Sequence, residues 1–127
     1  MIVVDTSALM AIILDEPQAE ACMTALEADD ELFISAGTVA ETLIVSGHRN
    51  VGEEMAEMIA GLGLEVIAVT LASARQLAQA YARWGKGVHP AALNFGDCFA
   101  YALAKEISCP LLYVGDDFSR TDVQSAL

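Results

Sequence analysis

The stretch Met1-Ile2-Val3-Val4-Asp5-Thr6-Ser7 decides the fold of this chain. Its apolar, β-branched residues predict a short buried strand, after which the polarity changes at once to a carboxylate and two hydroxyls. Thr6 or Ser7 is expected to cap the helix predicted over residues 8–14. One alternative is that Asp5 only helps to cap this helix. The other is that Asp5 lies at the carboxyl end of a strand, where open α/β sheets bind ligands.

The rest of the chain alternates between strands and helices. Further strands are predicted at 32–35, 64–69 and 111–114, and helices at 17–26, 38–48, 50–61, after Thr70 and at 94–107. Val39, Leu43 and Ile44 are expected on the apolar face of the third helix. Residues 84–90 read as a loop. The alternation favours an α/β fold with a parallel sheet covered by helices, in one domain spanning residues 1–127.

The composition is typical of a protein with a real core, because 55% of the 127 residues are hydrophobic. No apolar run approaches the roughly 18 residues that a membrane helix needs. The N-terminus lacks the basic region of a signal peptide, so we expect a cytoplasmic protein without membrane contact. Cys22, Cys98 and Cys109 are far apart, which predicts small buried side chains and not zinc ligands or disulfides.

The chain is strongly acidic, with 6 basic and 18 acidic residues and a net charge of −12. This balance argues against tight, non-specific nucleic-acid binding through a basic surface. It does not exclude a nuclease, because a bound divalent cation reverses the sign of the local field. The high apolar content indicates that another subunit or a partner covers part of the surface.

Carboxylates occur at four places that a parallel sheet can bring to one edge. Each follows a strand or lies near the start of a helix: Asp5, Glu41, Asp97, and the pair Asp116 and Asp117. Each also has a purely structural explanation, since Thr38-x-x-Glu41 and Asn94-x-x-Asp97 fit capping boxes and Asp117 could cap a short last helix. Helix capping alone requires fewer carboxylates than occur here. The carboxylates at these four places therefore favour a shared functional site.

A shared acidic site predicts a divalent cation. Clustered carboxylates repel one another unless cations compensate, and six basic residues in the whole chain cannot do so locally. Oxygen ligands without His or Cys indicate Mg²⁺ or Mn²⁺ and not zinc. Such an ion lowers the pKa of a bound water and stabilises charge on phosphoryl oxygens.

Three segments and Glu41 resemble a known family. The segments are VDTSAL at 4–9, NFGDCFAYA at 94–102 and LLYVGDDF at 111–118. They resemble PIN domains, and most closely the VapC-type toxin ribonucleases of bacterial toxin–antitoxin pairs. The resemblance extends from the first strand to Asp122 and so covers almost the whole chain.

The resemblance implies a single Rossmann-like α/β/α sandwich with a mainly parallel sheet of four to five strands. It also implies an endoribonuclease that depends on Mg²⁺ or Mn²⁺ and hydrolyses phosphodiester bonds in RNA as the toxin of a VapBC-type system. Its implied partners are single-stranded RNA, a second copy in a homodimer and an inhibitory VapB-type antitoxin. The strong negative charge of this chain departs from what the resemblance leads us to expect, because it leaves few residues that could bind RNA.

By position, Asp5, Glu41 and Asp97 take the catalytic, metal-binding carboxylate roles of this family, and Thr6 takes its hydroxyl role near the site. For the fourth carboxylate, Asp117 matches the fixed Asp of the Gly-x-Asp-Phe turn. Asp116 lies where the family varies, so Asp117 is favoured and Asp116 stays a candidate metal ligand.

Among the basic residues, Arg120 is the best candidate for binding RNA, because it lies three residues after Asp117. A solvated surface charge is the alternative explanation for it.

Two other functions compete with that of a nuclease. A phosphoacceptor receiver domain requires an acidic pair near the first strand, a central Asp after a middle strand and a late Lys. Here Asp5 stands alone, the third strand ends in Val69-Thr70, and no Lys follows Lys105. The second alternative is a catalytically inactive PIN-like module that only binds a protein partner, and the sequence leaves it open.

Overall fold

Strands and helices alternate along the computed structural model, which describes residues 1–127. The strands are β1 (Ile2–Val4), β2 (Leu32–Ser35), β3 (Glu65–Ile67) and β4 (Leu111–Leu112). The helices are α1 (Thr6–Ile13), α2 (Ala19–Glu27), α3 (Ala36–His48), α4 (Gly52–Gly61), α5 (Leu71–Trp84) and α6 (Phe95–Glu106), followed by a 3₁₀ turn at Phe118–Arg120. No helix combines the length and apolarity needed to cross a membrane.

The sheet has four parallel strands in the order β3-β2-β1-β4. Val3 pairs with Phe33 on one side and with Leu111 on the other. The chain therefore adds β2 and β3 on one side of β1 and returns to add β4 on the opposite side. This reversal makes the carboxyl ends of β1 and β4 a topological switch point, where open α/β sheets bind ligands.

Helices cover both faces of β1, which confirms the predicted α/β/α sandwich. Val3 packs in a cluster with residues of α5 and α6, whereas Ile2 and Val4 pack with residues of α1, α2 and α4. This is the period of two expected of a strand, since successive side chains point to opposite faces. The three strand residues are each at most 6% exposed, so β1 anchors both halves of the core.

One polar cluster joins α5, α6 and the C-terminal segment. Trp84 Nε1 donates to the Tyr101 hydroxyl at 2.8 Å, and that hydroxyl donates to Asp122 Oδ1. Trp84 is the last residue of α5, whereas the sequence predicted that it opens a loop. Its burial against α6 explains the longer helix, because the ring finds apolar neighbours there.

The predicted cap of α5 and the predicted capping box of α6 are confirmed, and the prediction of buried cysteines is confirmed in part. The Thr70 side chain caps α5, and Asn94 and Asp97 form a reciprocal capping box at the start of α6. Cys22 and Cys98 are buried as predicted, but Cys109 is only partly buried.

The predicted cap of α3 is wrong. Ser35 caps this helix, because its Oγ accepts a hydrogen bond from Gly37 N at 3.2 Å. The helix therefore begins before Thr38, which is 0% exposed and cannot form a capping box with Glu41. Ser35 also ends β2, so the sequence allows the helix to start directly from the strand.

The predicted apolar face of α3 is wrong in part, because Val39 packs against the core as predicted but Leu43 and Ile44 do not. Leu43 and Ile44 are 41% and 60% exposed, whereas Thr38, Thr42 and Ser46 face the core and are fully buried. These three residues recur every four positions and form one stripe. Their side chains are small, so α3 packs close to α1 and α6.

This stripe generates a paired prediction for stability. Thr38 Oγ1 is buried without a hydrogen-bond partner, so Thr38→Val removes an unsatisfied hydroxyl at nearly constant volume and is expected to stabilise the protein by about 1 kcal/mol. Thr42 Oγ1 donates to Thr38 O at 2.8 Å, so Thr42→Val is expected to cost about 1 kcal/mol. Urea unfolding of both variants measures these changes. A loss of stability in Thr38→Val equal to that in Thr42→Val would contradict the assignment.

Candidate active site

Asp5 follows β1 directly and is 3% exposed at the switch point of the sheet. Its Oδ2 accepts from Ser7 N at 3.0 Å and from Ser7 Oγ at 2.6 Å, so Asp5 itself caps α1. The prediction that Thr6 or Ser7 is the cap is therefore wrong, because both lie inside the first turn. The other oxygen, Asp5 Oδ1, is buried and has no hydrogen-bond partner. This unpaired oxygen is available to a ligand.

Ser7 is a site residue that the sequence analysis assigned only as a possible cap. Besides donating to Asp5, its Oγ accepts from Val114 N at 2.9 Å. Val114 lies just after β4, so Ser7 joins the ends of the two strands that form the switch point. A hydroxyl two residues after a strand-ending Asp is a signal that could have identified this role.

Asp97 occupies the first turn of α6 and is 9% exposed. Asp97 N donates to Asn94 Oδ1 at 2.8 Å, and Asn94 N donates to Asp97 Oδ2 at 3.0 Å. This capping box fixes the carboxylate against the helix start. Only Oδ2 is needed for the cap, so capping and a role in a shared site are compatible.

Glu41 and Thr6 connect α3 to the same region. Thr6 Oγ1 donates to Glu41 Oε1 at 2.6 Å and lies 2.9 Å from Thr42 Oγ1. A Cβ atom at Gly96 would overlap Glu41 Oε2, so only glycine allows the Glu41 carboxylate to lie against the start of α6. The structure thus brings Glu41 to the helix that holds Asp97.

The carboxylates are close enough to affect one another. Burial raises the pKa of Asp5 from 3.8 to about 6, against the hydrogen bonds from Ser7 that lower it, and the charge of Glu41 raises it further. Burial also raises the pKa of Asp97 from 3.8 to about 7, and the charges of Asp5, Asp117 and Glu41 add to this effect. The four residues therefore share one negative field.

Asp116 and Asp117 lie in the exposed turn after β4. Asp117 precedes the 3₁₀ turn but makes no capping hydrogen bond with its side chain, so its predicted role as a cap is wrong. The backbone carbonyl of Asp116 accepts from Ser119 N at 3.2 Å and Ser119 Oγ at 2.6 Å, which holds the turn. Arg120 is exposed, and its Nη1 donates to Pro90 O at 3.1 Å.

This arrangement fits a hard divalent cation in its donor chemistry. No Lys or Arg forms an ion pair with any of the four carboxylates, and Asp5 Oδ1 has no partner. No three His, Cys, Asp or Glu side chains stand close enough together to hold an ion as placed, so binding requires at least one carboxylate to move. The fold and the site together define an α/β protein with an acidic edge suited to Mg²⁺ or Mn²⁺.

Comparison with known proteins identifies the family. The family model described as "PIN domain" matches residues 2–124. The chain is 41% identical over 124 residues to Ribonuclease VapC30 of Mycobacterium tuberculosis, covering 95% of each chain. It is 43% identical over 124 residues to Ribonuclease VapC of Mycolicibacterium smegmatis, covering 95% of this chain and 96% of that protein. The chain therefore belongs to the PIN-domain family and, within it, to the VapC ribonucleases.

Solved structures share the fold at lower sequence identity. Mycobacterium tuberculosis VapC20, described as a sarcin–ricin loop cleaving toxin, superposes with a TM-score of 0.79 at 17% identity, over 97% of this chain and 96% of that one. VapBC2 from Rickettsia felis, bound to a DNA fragment from its promoter, gives a TM-score of 0.72 at 14% identity, over 98% and 96%. The predicted family and sandwich fold are confirmed.

The raised pKa values predict how stability depends on pH without metal. In the unfolded chain these carboxyls ionise near 3.8, whereas Asp5 and Asp97 ionise near 6 and 7 in the fold. The folded state binds more protons in that interval, so its stabilisation is present in acid and is lost as pH rises through about 6 to 7. Thermal unfolding in EDTA should therefore give a melting temperature that falls as pH rises from about 4 to about 7.

Two variants separate this effect from general charge repulsion. Asp97→Asn keeps an oxygen that can accept from Asn94 N, but its side chain cannot ionise. This variant should therefore weaken the dependence of the melting temperature on pH. Glu57→Gln removes an exposed charge on α4 and should leave the dependence intact. A melting temperature that rises with pH in the unmodified protein would contradict the assignment.

Proposed function

We propose that this protein is an endoribonuclease that hydrolyses phosphodiester bonds in RNA with Mg²⁺ or Mn²⁺, as the toxin of a VapBC-type pair. The observation that carries the proposal is the buried, unpaired Asp5 Oδ1 within four uncompensated carboxylates, in a chain of the VapC ribonuclease family. We expect the reaction to take place in the cytoplasm, together with its RNA substrate.

In this proposal Asp5 and Asp97 are the principal metal ligands, and Glu41 and Asp117 complete the catalytic set, with Asp116 as a further ligand candidate. When bound, the ion would lower the pKa of its water and offset charge on the phosphoryl oxygens. Three hydrogen bonds orient the carboxylates: the Ser7 hydroxyl donates to Asp5, the Asn94 backbone N–H donates to Asp97, and the Thr6 hydroxyl donates to Glu41. Arg120 is proposed to contact an RNA phosphate.

Cleavage of RNA tests the proposal directly. A short single-stranded RNA should be cleaved with Mg²⁺ or Mn²⁺ and remain intact in EDTA. Asp5→Asn and Asp97→Asn should each lower the rate by at least about a hundredfold, because removal of a ligand affects metal binding at least as strongly as loss of an outer-shell partner. Circular dichroism should show an unchanged fold.

Glu57→Gln is the matched control, because it removes one exposed carboxylate outside the site. Full activity of both Asn variants would overturn the ligand assignment. A folded protein that cleaves no RNA with either metal would instead favour the inactive, protein-binding alternative.

A second copy of the chain is the proposed occupant of an exposed apolar patch. The patch consists of Ile44 on α3 and of Phe95 and Phe99 on α6, whose rings lie edge to face with centroids 5.0 Å apart. Ile44 and Phe95 are 60% and 65% exposed. Phe99 packs on Gly37, where a Cβ atom would overlap its ring, so α3 and α6 are in direct contact. Its position beside Glu41 and Asp97 would bring two sites close together in a homodimer.

Light scattering should therefore give twice the chain mass for the unmodified protein. Ile44→Glu is expected to produce monomers, because it places a charge in the apolar contact. Val88→Glu is the control, since Val88 is 62% exposed but lies in the loop after α5, outside the patch. A monomer at all practical concentrations of the unmodified protein would refute the homodimer.

A VapB-type antitoxin is the proposed inhibitory partner. Structural neighbours with a TM-score of 0.70 or higher include a toxin–antitoxin complex from Klebsiella pneumoniae and VapBC2 from Rickettsia felis. In this chain the uncompensated carboxylates are a suitable receptor for a basic side chain, and the planar guanidinium of arginine can bind them bidentately. A basic side chain and a divalent cation would then compete for the same oxygens.

A further inference from the structure

The charges of this protein are divided between its two halves. Residues 1–65 contain 13 of the 18 acidic residues and one of the 6 basic residues, Arg49. The other half contains five acidic and five basic residues and is neutral. The whole net charge of −12 therefore belongs to the half with α1 to α4, and a polyanion is repelled least by the half with α5 and α6.

Arg83 and Lys105, two of the five basic residues of the second half, line the same groove as the only tryptophan. The Arg83 guanidinium lies 4.5 Å from the centre of the Trp84 ring, and the His89 ring centre is 4.7 Å from that ring. Arg83 Nη1 and Lys105 Nζ lie 3.8 and 3.3 Å from the same oxygen of Asp122. We call Arg83, Lys86, Lys105 and Arg120 the basic face.

The basic face keeps much of its charge available. Asp122 is the only acidic partner of Arg83 and Lys105, and Lys86 and Arg120 have no acidic partner within 4.0 Å. The side chains of Arg83 and Lys105 are 65% and 46% exposed. Both border a groove of about 380 Å³ between α5 and α6, which Asp122 and Glu106 also line. Gln76 lies in the same groove, and its buried Oε1 has no hydrogen-bond partner.

The basic face begins beside the candidate active site. Arg120 follows Asp117 by three residues and binds Pro90 O at 3.1 Å, in the loop that also contains Lys86. Helix α6 has Asp97 in its first turn and Lys105 eight residues later, about 12 Å along the helix axis. One strand of nucleic acid can therefore reach the carboxylates and the groove together.

We propose that single-stranded RNA docks on the basic face, with phosphates at Arg83, Lys86 and Arg120 and a base in the groove near Gln76. The unpaired Gln76 Oε1 would accept from the amino group of a base, and single-stranded bases are free to leave the stack. This proposal rests on the proposed ribonuclease function and names the surface that receives its substrate. The competing occupant is the acidic half of a second copy.

Trp84 fluorescence provides a binding readout that does not require cleavage. The chain has one tryptophan, which lines the groove, so a change in its emission when RNA is added reports on the surroundings of the groove. The cleavage-deficient Asp97→Asn variant would be titrated with short single-stranded RNA at several salt concentrations. A plot of log Kd against log salt then counts the phosphate contacts, at about 0.7 in slope for each contact with a single strand.

Arg83→Gln and Lys86→Gln in this background should each lower the slope by about 0.7 and weaken binding roughly threefold to fivefold at about 0.15 M salt. Arg83→Lys keeps the charge and should retain the slope. Arg49→Gln removes the single basic residue of the acidic half and should change neither quantity. Thermal unfolding checks that each variant is folded.

Unchanged slopes in Arg83→Gln and Lys86→Gln would overturn the proposal, as would an equal effect of Arg49→Gln. Dispersal of a salt-sensitive oligomer by these variants, with RNA binding intact, would assign the face to a second copy and also overturn it. In the otherwise unmodified enzyme the variants should raise KM and leave kcat unchanged. Failure of that enzyme to cleave any RNA would refute the proposed function but leave the slope measurement valid.

Discussion

The structure depends on how a buried negative charge is tolerated at the end of its central strand. Asp5 lies between helices in a region where no Lys or Arg forms an ion pair with it. The backbone offsets part of this charge, because α1 begins at Asp5 and α6 begins beside Asp97, and each helix start presents free N–H groups with partial positive charge. The site is therefore built where helix starts converge, and the sheet order β3-β2-β1-β4 provides that place.

Capping and a role in the site were alternatives in the sequence, but the structure shows that a carboxylate can cap a helix and remain available. In Asp5 and in Asp97, Oδ2 accepts the hydrogen bonds of the cap. At Asp5 the second oxygen stays unpaired, and at Asp97 the capping bond fixes the direction of the side chain. Capping thus orients the carboxylates without consuming them, and it lowers the entropy cost of any later ligand.

Local sequence patterns were enough to predict the four strands, the parallel sheet and the caps of α5 and α6, because each depends on neighbouring residues. The buried face of α3 was not predictable in this way. Its hydroxyl stripe faces α1, where Thr6 contacts Thr42, and Gly96 on α6 allows Glu41 to approach that helix. The role of Ser7 depends on Val114, which is 107 residues away in the chain. Such contacts between distant elements leave little signal in a single sequence.

The free-energy cost of keeping Asp5 and Asp97 ionised in a buried site can be relieved in three ways. A proton neutralises a carboxylate, a divalent cation would bind it, and a basic side chain of a partner would pair with it. Since all three act on the same oxygens, each must weaken the others by the reciprocity of linked equilibria. The division of charge adds a spatial constraint. An acidic half would attract cationic partners and repel RNA, and the neutral half would repel RNA less. Under the proposed function, substrate and inhibitor would therefore approach along different surfaces and compete only at the carboxylates.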